Sequence, residues 1–216
     1  MQENKKKSSI VKDAVALCLI ALIAAVALGF VNEVTKGPIA ELAAKQKAEA
    51  YQTIYPEAVQ VDDANEELLA RVEDSAAFLA ENGLSGSVID EACIAMDASG
   101  NPIGYILTIT SKEGFGGDIQ FSMGYTSEGT LTAIEILSIS ETAGLGALAT
   151  EEPFKGQFTE RTEDSLTVVK SDAGEGEINA ISGATITSNA VTNAVNSGLA
   201  FASDLLANGI GGVSHE

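Results

Sequence analysis

Residues 103–139 read IGYILTITSKEGFGGDIQFSMGYTSEGTLTAIEILSI, and they contain the clearest structural pattern in the chain. Runs rich in β-branched and aromatic residues cover 103–110, 119–125 and 131–139, and glycine-containing turns separate them. Short strands at this spacing are typical of hairpins. The pattern therefore predicts three neighbouring strands of an antiparallel sheet.

Further elements are predicted on both sides of these strands. A short β-like run lies at 93–96, and a last strand is expected at 166–170. Residues 62–86 are acidic and are expected to be helical in part, with a break at Asn82 and Gly83.

A helix is predicted near the end of the chain. Its apolar residues recur every three to four positions and form one stripe, which must pack on the sheet. The stripe consists of Val191, Val195, Leu199, Ala202 and Leu206. Either Ser188 or Asn189 is the expected N-cap of this helix. The predicted fold class is α+β, with helices packed on one side of an antiparallel sheet.

Residues 14–31 form an uncharged and strongly apolar run. At about 1.5 Å per residue in a helix the run spans roughly 27 Å, close to a bilayer core of about 30 Å. A retained transmembrane helix is the favoured interpretation. The alternative is a cleaved signal peptide, because residues 25–27 have the small-x-small form of a cleavage site. Lysines precede the run, so the positive-inside rule predicts a cytoplasmic N-terminus and a body on the outer face.

The segment after the anchor is predicted to be a linker. Residues 35–38 (TKGP) are expected to break the helix, and a new helix is expected at 39–51, ended by Tyr55 and Pro56. The predicted organisation is a cytoplasmic N-terminus (1–13), a transmembrane anchor (14–31), a linker and helical segment (32–87), the main domain (88–208) and a flexible tail (209–216).

Charge and residue types exclude several function classes. Residues 32–216 carry 29 Asp or Glu against 8 Lys or Arg, and such an acidic body lacks the basic footprint that nucleic acid requires. Cys18 lies in the apolar run and Cys93 in the body, so they cannot pair within one chain. His215 is the only histidine. Zinc sites, iron–sulfur clusters and Ser-His-Asp catalysis are therefore not expected, and no metal site is predicted.

The run NAISGAT at residues 179–185 is the most informative motif. It places an accessible threonine, Thr185, beside the small residues Gly183 and Ala184, just before the predicted C-terminal helix. A group attached to Thr185 would lie near the positive end of the helix dipole. The alternative is an ordinary helix N-terminus, which also favours Ser, Thr and Asn.

Two glycine-containing turns could line a site for a flat ring. In SETAGLG, residues 140–146, Leu145 could pack on the ring while the amides of Gly144 and Gly146 meet its polar edge. A plain strand-end turn is the alternative. In GFGG, residues 114–117, Phe115 could cover the ring, although a hairpin connection explains this loop equally well.

Taken together, these three motifs resemble the FMN-binding domain shared by the RnfG protein of the Rnf electron transport complex and the NqrC protein of the Nqr complex. The resemblance covers about residues 88–206, and the anchor and linker are also similar. It implies that FMN is attached to Thr185 through a phosphoester. The residues it assigns to the flavin are Ser182, Gly183, Ala184, Thr185, Thr187, Glu141, Thr142, Gly144, Leu145, Gly146, Lys170 and Phe115. Asn179 stands where the family motif has Asp, a change expected to affect the efficiency of modification and to leave the fold intact.

The resemblance also implies a function. It predicts an electron-carrier subunit of an ion-translocating ferredoxin:NAD oxidoreductase of the Rnf type, anchored in the membrane and working with the other subunits of that complex. A separate flavinyl transferase would attach the flavin. The alternatives are an NqrC-like flavoprotein of a quinone reductase, or a non-catalytic ectodomain that binds a partner.

Overall fold

The computed structural model describes residues 2–214, with side chains from residue 12 onward. The chain divides into two compact units, Met1–Gln46 and Lys47–Glu216. His215 and Glu216, in the predicted flexible tail, lie outside the described residues.

The first helix, α1, spans Gln2–Ile54 without interruption. Its residues 12–54 contain an 18-residue window with a mean hydropathy of 2.9, long and apolar enough to make it a candidate membrane span. The predicted break at residues 35–38 is wrong, because the helix continues through Pro38. Proline costs a helix interior about 3 kcal/mol, and good helix formers on both sides offset that cost. The predicted end before Tyr55 is confirmed.

One five-stranded antiparallel sheet forms the centre of the second unit. Its strands lie in the order of the chain: β1 (Gln60–Asp62), β2 (Ser87–Met96), β3 (Pro102–Ser111), β4 (Ile119–Thr126) and β5 (Leu131–Ile139). The three predicted central strands are confirmed. β1 was not predicted, and β2 begins well before the predicted run at 93–96.

Two helices, α2 (Glu66–Glu81) and α4 (Thr185–Ala207), contribute to the same core as one face of the sheet. The predicted apolar stripe of α4 is confirmed, since all five of its members are buried. Asn65 caps α2, accepting a hydrogen bond from the Leu68 N–H at 3.0 Å. A short helix, α3 (Glu152–Lys155), follows the last strand of the sheet.

The opposite face of the sheet is covered by the end of α1. Ile54 and Tyr55 pack with Ala95 and Ile106, which point away from α4 because side chains alternate along a strand. The prediction of helices on one side only is therefore wrong. Ile106 is an apolar residue in a central strand, and without this cover its side chain would be exposed to water.

The predicted last strand exists but belongs to a second, smaller sheet. β6 (Thr167–Val169) pairs in parallel with β7 (Glu177–Asn179), which was not predicted. The predicted flexible tail is also partly wrong, because Ile210 and Val213 are buried. The buried hydroxyl of Tyr105 donates a hydrogen bond to the Ile210 carbonyl at 2.7 Å, which satisfies a donor that would otherwise be orphaned.

Candidate functional site

A tight turn leads into α4 and sets where the helix begins. The Ala184 N–H donates to the Ile181 carbonyl at 2.9 Å, and Gly183 has a φ of +78°, which favours glycine. The buried hydroxyl of Ser188 accepts from the Ile181 N–H at 2.9 Å and donates to the Ala184 carbonyl at 3.0 Å. This hydroxyl therefore ties the turn to the helix from inside the first turns of α4.

The prediction that Ser188 or Asn189 caps the helix is wrong. α4 begins at Thr185, and its N-cap is Ala184, whose methyl side chain cannot accept a hydrogen bond. Thr185 is thus the first helical residue, and it is exposed. The first N–H groups of a helix have no partner within the helix and carry its positive dipole end. The exposed threonine hydroxyl therefore lies at a helix terminus that favours a negatively charged group.

The segment after β5 forms a ledge against the first turn of α4. The Leu145 N–H donates to the Thr142 carbonyl at 3.1 Å, and Gly144 has a φ of +74°. Gly146 is buried, and a Cβ on it would lie 2.6 Å from the Thr187 hydroxyl oxygen and 2.7 Å from Glu141 Oε2. Only glycine allows the ledge to approach α4 this closely.

The loop between β3 and β4, Glu113–Gly117, lies beside this ledge. The Gly116 N–H donates to Glu141 Oε1 at 3.0 Å. Gly116 also packs so closely on the Ser140 carbonyl that a side chain would not fit. At the tip of the loop Phe115 is 72% exposed. The loop is therefore attached to the end of β5 while its aromatic ring remains largely in solvent.

The turn, the ledge and the loop together line one cavity of about 400 Å³. This volume falls in the usual range for small-molecule sites. The lining residues are Phe115, Glu141, Thr142, Leu145, Gly146, Gly183, Ala184, Thr185, Ile186 and Thr187. Glu141 is the only charged residue among them. Segments about 40 residues apart in sequence are thus brought to one opening.

Every lining residue except Ile186 is among the predicted site residues. Ile186 was missed, although it is an apolar residue between two threonines and stands outside the buried stripe of α4, with 54% of its side chain exposed. Three predicted residues do not line the cavity. Ser182 and Gly144 lie in the turns that shape it, and Lys170 lies exposed just after β6.

Asn179, which replaces the family's Asp, has a clear place in the fold. Its side-chain oxygen accepts a hydrogen bond from the Ala173 N–H at 3.1 Å. The Gln157 side chain holds its backbone, accepting from the Asn179 N–H at 2.7 Å and donating to the Asn179 carbonyl at 3.2 Å. Aspartate would offer the same acceptor to Ala173, so the fold accommodates either residue.

Two family models match the chain. Residues 114–200 match the FMN-binding domain, and residues 1–54 match the RnfG N-terminal region. The first match contains all three segments that line the cavity.

Several relatives, each the component designated G of an ion-translocating complex, are similar over most of their length. The one from the Na⁺-translocating ferredoxin:NAD⁺ oxidoreductase complex of Acetobacterium woodii is 32% identical, over 83% of this chain and 85% of that protein. The one from the ion-translocating oxidoreductase complex of Methanosarcina acetivorans is 31% identical, over 94% and 98%. The one from the proton-translocating ferredoxin:NAD⁺ oxidoreductase complex of Clostridium ljungdahlii is 37% identical, over 63% and 70%.

Among solved structures, NqrC of Shewanella oneidensis superposes with a TM-score of 0.44 at 18% sequence identity. The match covers 53% of this chain and 59% of that one.

Proposed function

The chain belongs to the RnfG family of ion-translocating oxidoreductase complexes, and we propose that it carries electrons through an FMN attached covalently to Thr185. The observation that carries the proposal is the single cavity to which Thr185, the ledge and the Phe115 loop all contribute. Such a cavity offers one acceptor hydroxyl and one enclosed space for a ring.

The surroundings of Thr185 fit a phosphoester. Its hydroxyl is exposed, and its neighbours Gly183 and Ala184 are too small to obstruct a bulky group. The N-cap residue supplies no side-chain acceptor, so the first N–H groups of α4 remain available to phosphate oxygens. The helix dipole favours the negative charge of the ester at the same place.

The rest of the cavity fits a flat ring with a polar edge. Leu145 and Ile186 present apolar side chains that would contact the ring, and Phe115 would shield it from water. Thr142 and Thr187 bring hydroxyl groups to the same lining. When bound, FMN supplies the electron-transfer chemistry, while these residues bind it, orient it and exclude solvent.

We place this chain in a membrane complex of the kind named for its relatives, in which electrons pass between ferredoxin and NAD⁺ while an ion is moved. The candidate membrane span in α1 would anchor the protein, with its N-terminus in the cytoplasm and its FMN domain on the outer face. A covalent tether suits that face, because a dissociated FMN could not readily be replaced there. The other Rnf subunits and a flavinyl transferase are the proposed partners.

Intact mass tests the attachment. Co-expressed with a flavinyl transferase in an exporting host, the chain should gain the mass of one FMN less one water and show in-gel fluorescence after denaturation. Thr185→Ala should lose both signals. Ser182→Ala removes a nearby exposed hydroxyl and should keep both.

The competing assignments give different results. Covalent flavin kept by Thr185→Ala but lost by Thr187→Ala would move the attachment site two residues along α4. Complete absence of covalent flavin from the wild-type chain under these conditions would favour a partner-binding ectodomain.

A further inference from the structure

Glu141 is the only charged side chain in the cavity lining, and it lies directly after β5. Its carboxylate is half-buried, and Oε1 accepts the hydrogen bond from the Gly116 N–H at 3.0 Å. One carboxylate oxygen therefore contacts the loop that carries Phe115.

The second oxygen of Glu141 faces the other two segments of the cavity. A Cβ built on Gly146 would lie 2.7 Å from Glu141 Oε2 and 2.6 Å from the Thr187 hydroxyl oxygen. The carboxylate thus stands where the ledge meets the first turn of α4. Loop, ledge and helix all approach this one group.

The Phe115 loop is held at its other end as well. The side-chain amide of Asn193 donates to Glu113 Oε2 at 2.9 Å, and the Ser111 hydroxyl donates to the Ala190 carbonyl at 2.9 Å. Both bonds attach the start of the loop to α4. The bond from Gly116 to Glu141 is the matching attachment at the end of the loop, and Phe115 lies between them.

We propose that Glu141 is a positioning residue with two effects: it fixes the Phe115 loop beside the cavity, and its negative charge lowers the reduction potential of the flavin. The second effect rests on the proposed function. An electron added to a flavin brings negative charge next to the carboxylate. Repulsion between the two is strong in a partly buried site, where water screens charge poorly.

The first effect is tested on the flavin-free full-length chain, produced without a transferase. Glutamine keeps an oxygen acceptor for the Gly116 N–H, whereas alanine removes it. Amide hydrogen exchange at Gly116 should therefore be close to wild type in Glu141→Gln and about tenfold faster in Glu141→Ala. Equal exchange in wild type and Glu141→Ala would overturn the loop-fixing effect.

The second effect is tested on the flavin-loaded chain by redox titration. Glu141→Gln should shift the midpoint potential to a more positive value. The matched control, Glu113→Gln, removes a carboxylate from the same loop but outside the cavity lining, and should leave the potential unchanged. Equal potentials in wild type and Glu141→Gln, or equal shifts in both variants, would overturn the charge effect.

The two measurements separate this proposal from the assignment of FMN. If the wild-type chain carries no flavin, the proposed function fails and the charge effect fails with it. Exchange at Gly116 still decides the loop-fixing effect in that case, because it requires no cofactor.

Discussion

Ser188 has a fully buried hydroxyl that satisfies two backbone groups at once. The Ile181 N–H and the Ala184 carbonyl both face this hydroxyl, and both belong to the turn that precedes Thr185. A buried backbone group without a partner costs about as much as a lost hydrogen bond. The position of the acceptor threonine thus depends on a side chain that does not line the cavity.

Ser188→Ala is therefore expected to be destabilising. Removing the hydroxyl leaves the Ile181 N–H without its partner, which should lower the free energy of unfolding by about 1–3 kcal/mol. Urea denaturation of the detergent-solubilised chain measures this change. Ser182→Ala is the matched control, since Ser182 is exposed in the same turn and its loss should stay within about 0.5 kcal/mol. Equal losses in the two variants would contradict the role assigned to the buried hydroxyl.

At the scale of elements, the end of α1 covers a polar part of the sheet as well as an apolar one. The Cys93 thiol donates to Glu91 Oε1 at 3.3 Å and lies 3.8 Å from the Tyr51 hydroxyl, and Lys47 pairs with the same glutamate. Burial is the main cause that raises the pKa of Cys93 to about 12, and Glu91 adds to it. Burial also raises the pKa of Tyr51 strongly. Both groups are therefore held neutral under this helix.

These shifts predict alkaline instability. The thiol of Cys93 loses its proton from an ordinary pKa of 9.0 when unfolded but from about 12 when folded. Its contribution to stability is complete below pH 9 and is lost as the pH rises towards 12, with a slope of at most about 1.4 kcal/mol per pH unit. Urea midpoints measured from pH 8 to pH 10 should fall in the wild type and fall less in Cys93→Ala. Parallel curves would show that Cys93 ionises freely in the folded chain.

Long elements with a strong pattern could be predicted from the sequence, and short or locally overridden ones could not. β4, β5 and the buried stripe of α4 follow from periodicity. β1 and β7 have three residues each, and a strand this short gains its identity only from its partner. Pro38 was expected to end a helix, but the flanking helix formers outweigh it. Ala184 carries no capping signal, so the start of α4 could be found only from the hydrogen bonds of Ser188.

The candidate site was predictable to a different degree. Its residue list came from a resemblance between motifs, because spacing alone cannot show that residues 141–146 and 183–187 share one cavity. Ile186 escaped because the motif emphasises hydroxyls and small residues. The bond from Gly116 to Glu141 depends on the exact approach of the loop to β5, which no local pattern encodes.

At the scale of the whole molecule, an apolar helix precedes a strongly acidic body. The formal net charge of the chain is −19, and nearly all of its basic charge excess lies ahead of the apolar window. A retained anchor predicts that the protein stays in the membrane fraction after a carbonate wash. Protease added from the outer side should then degrade the body.

The signal-peptide alternative predicts a different outcome. A soluble species beginning near Leu28 would contradict the retained anchor. Ala27→Leu provides the control, because it removes a small residue from the possible cleavage site. If the soluble species disappears in this variant, its release came from signal cleavage at that site; if it persists, another protease produced it.

Phe115, Leu145 and Ile186 remain exposed around the opening of the cavity. Apolar groups gathered at one place on a surface promote self-association unless something covers them. On the proposed function the flavin is that cover, so newly exported chains would be adhesive until they are loaded. Cofactor loading would then also act as a proofreading step, since unloaded chains would be the ones that clump and are removed.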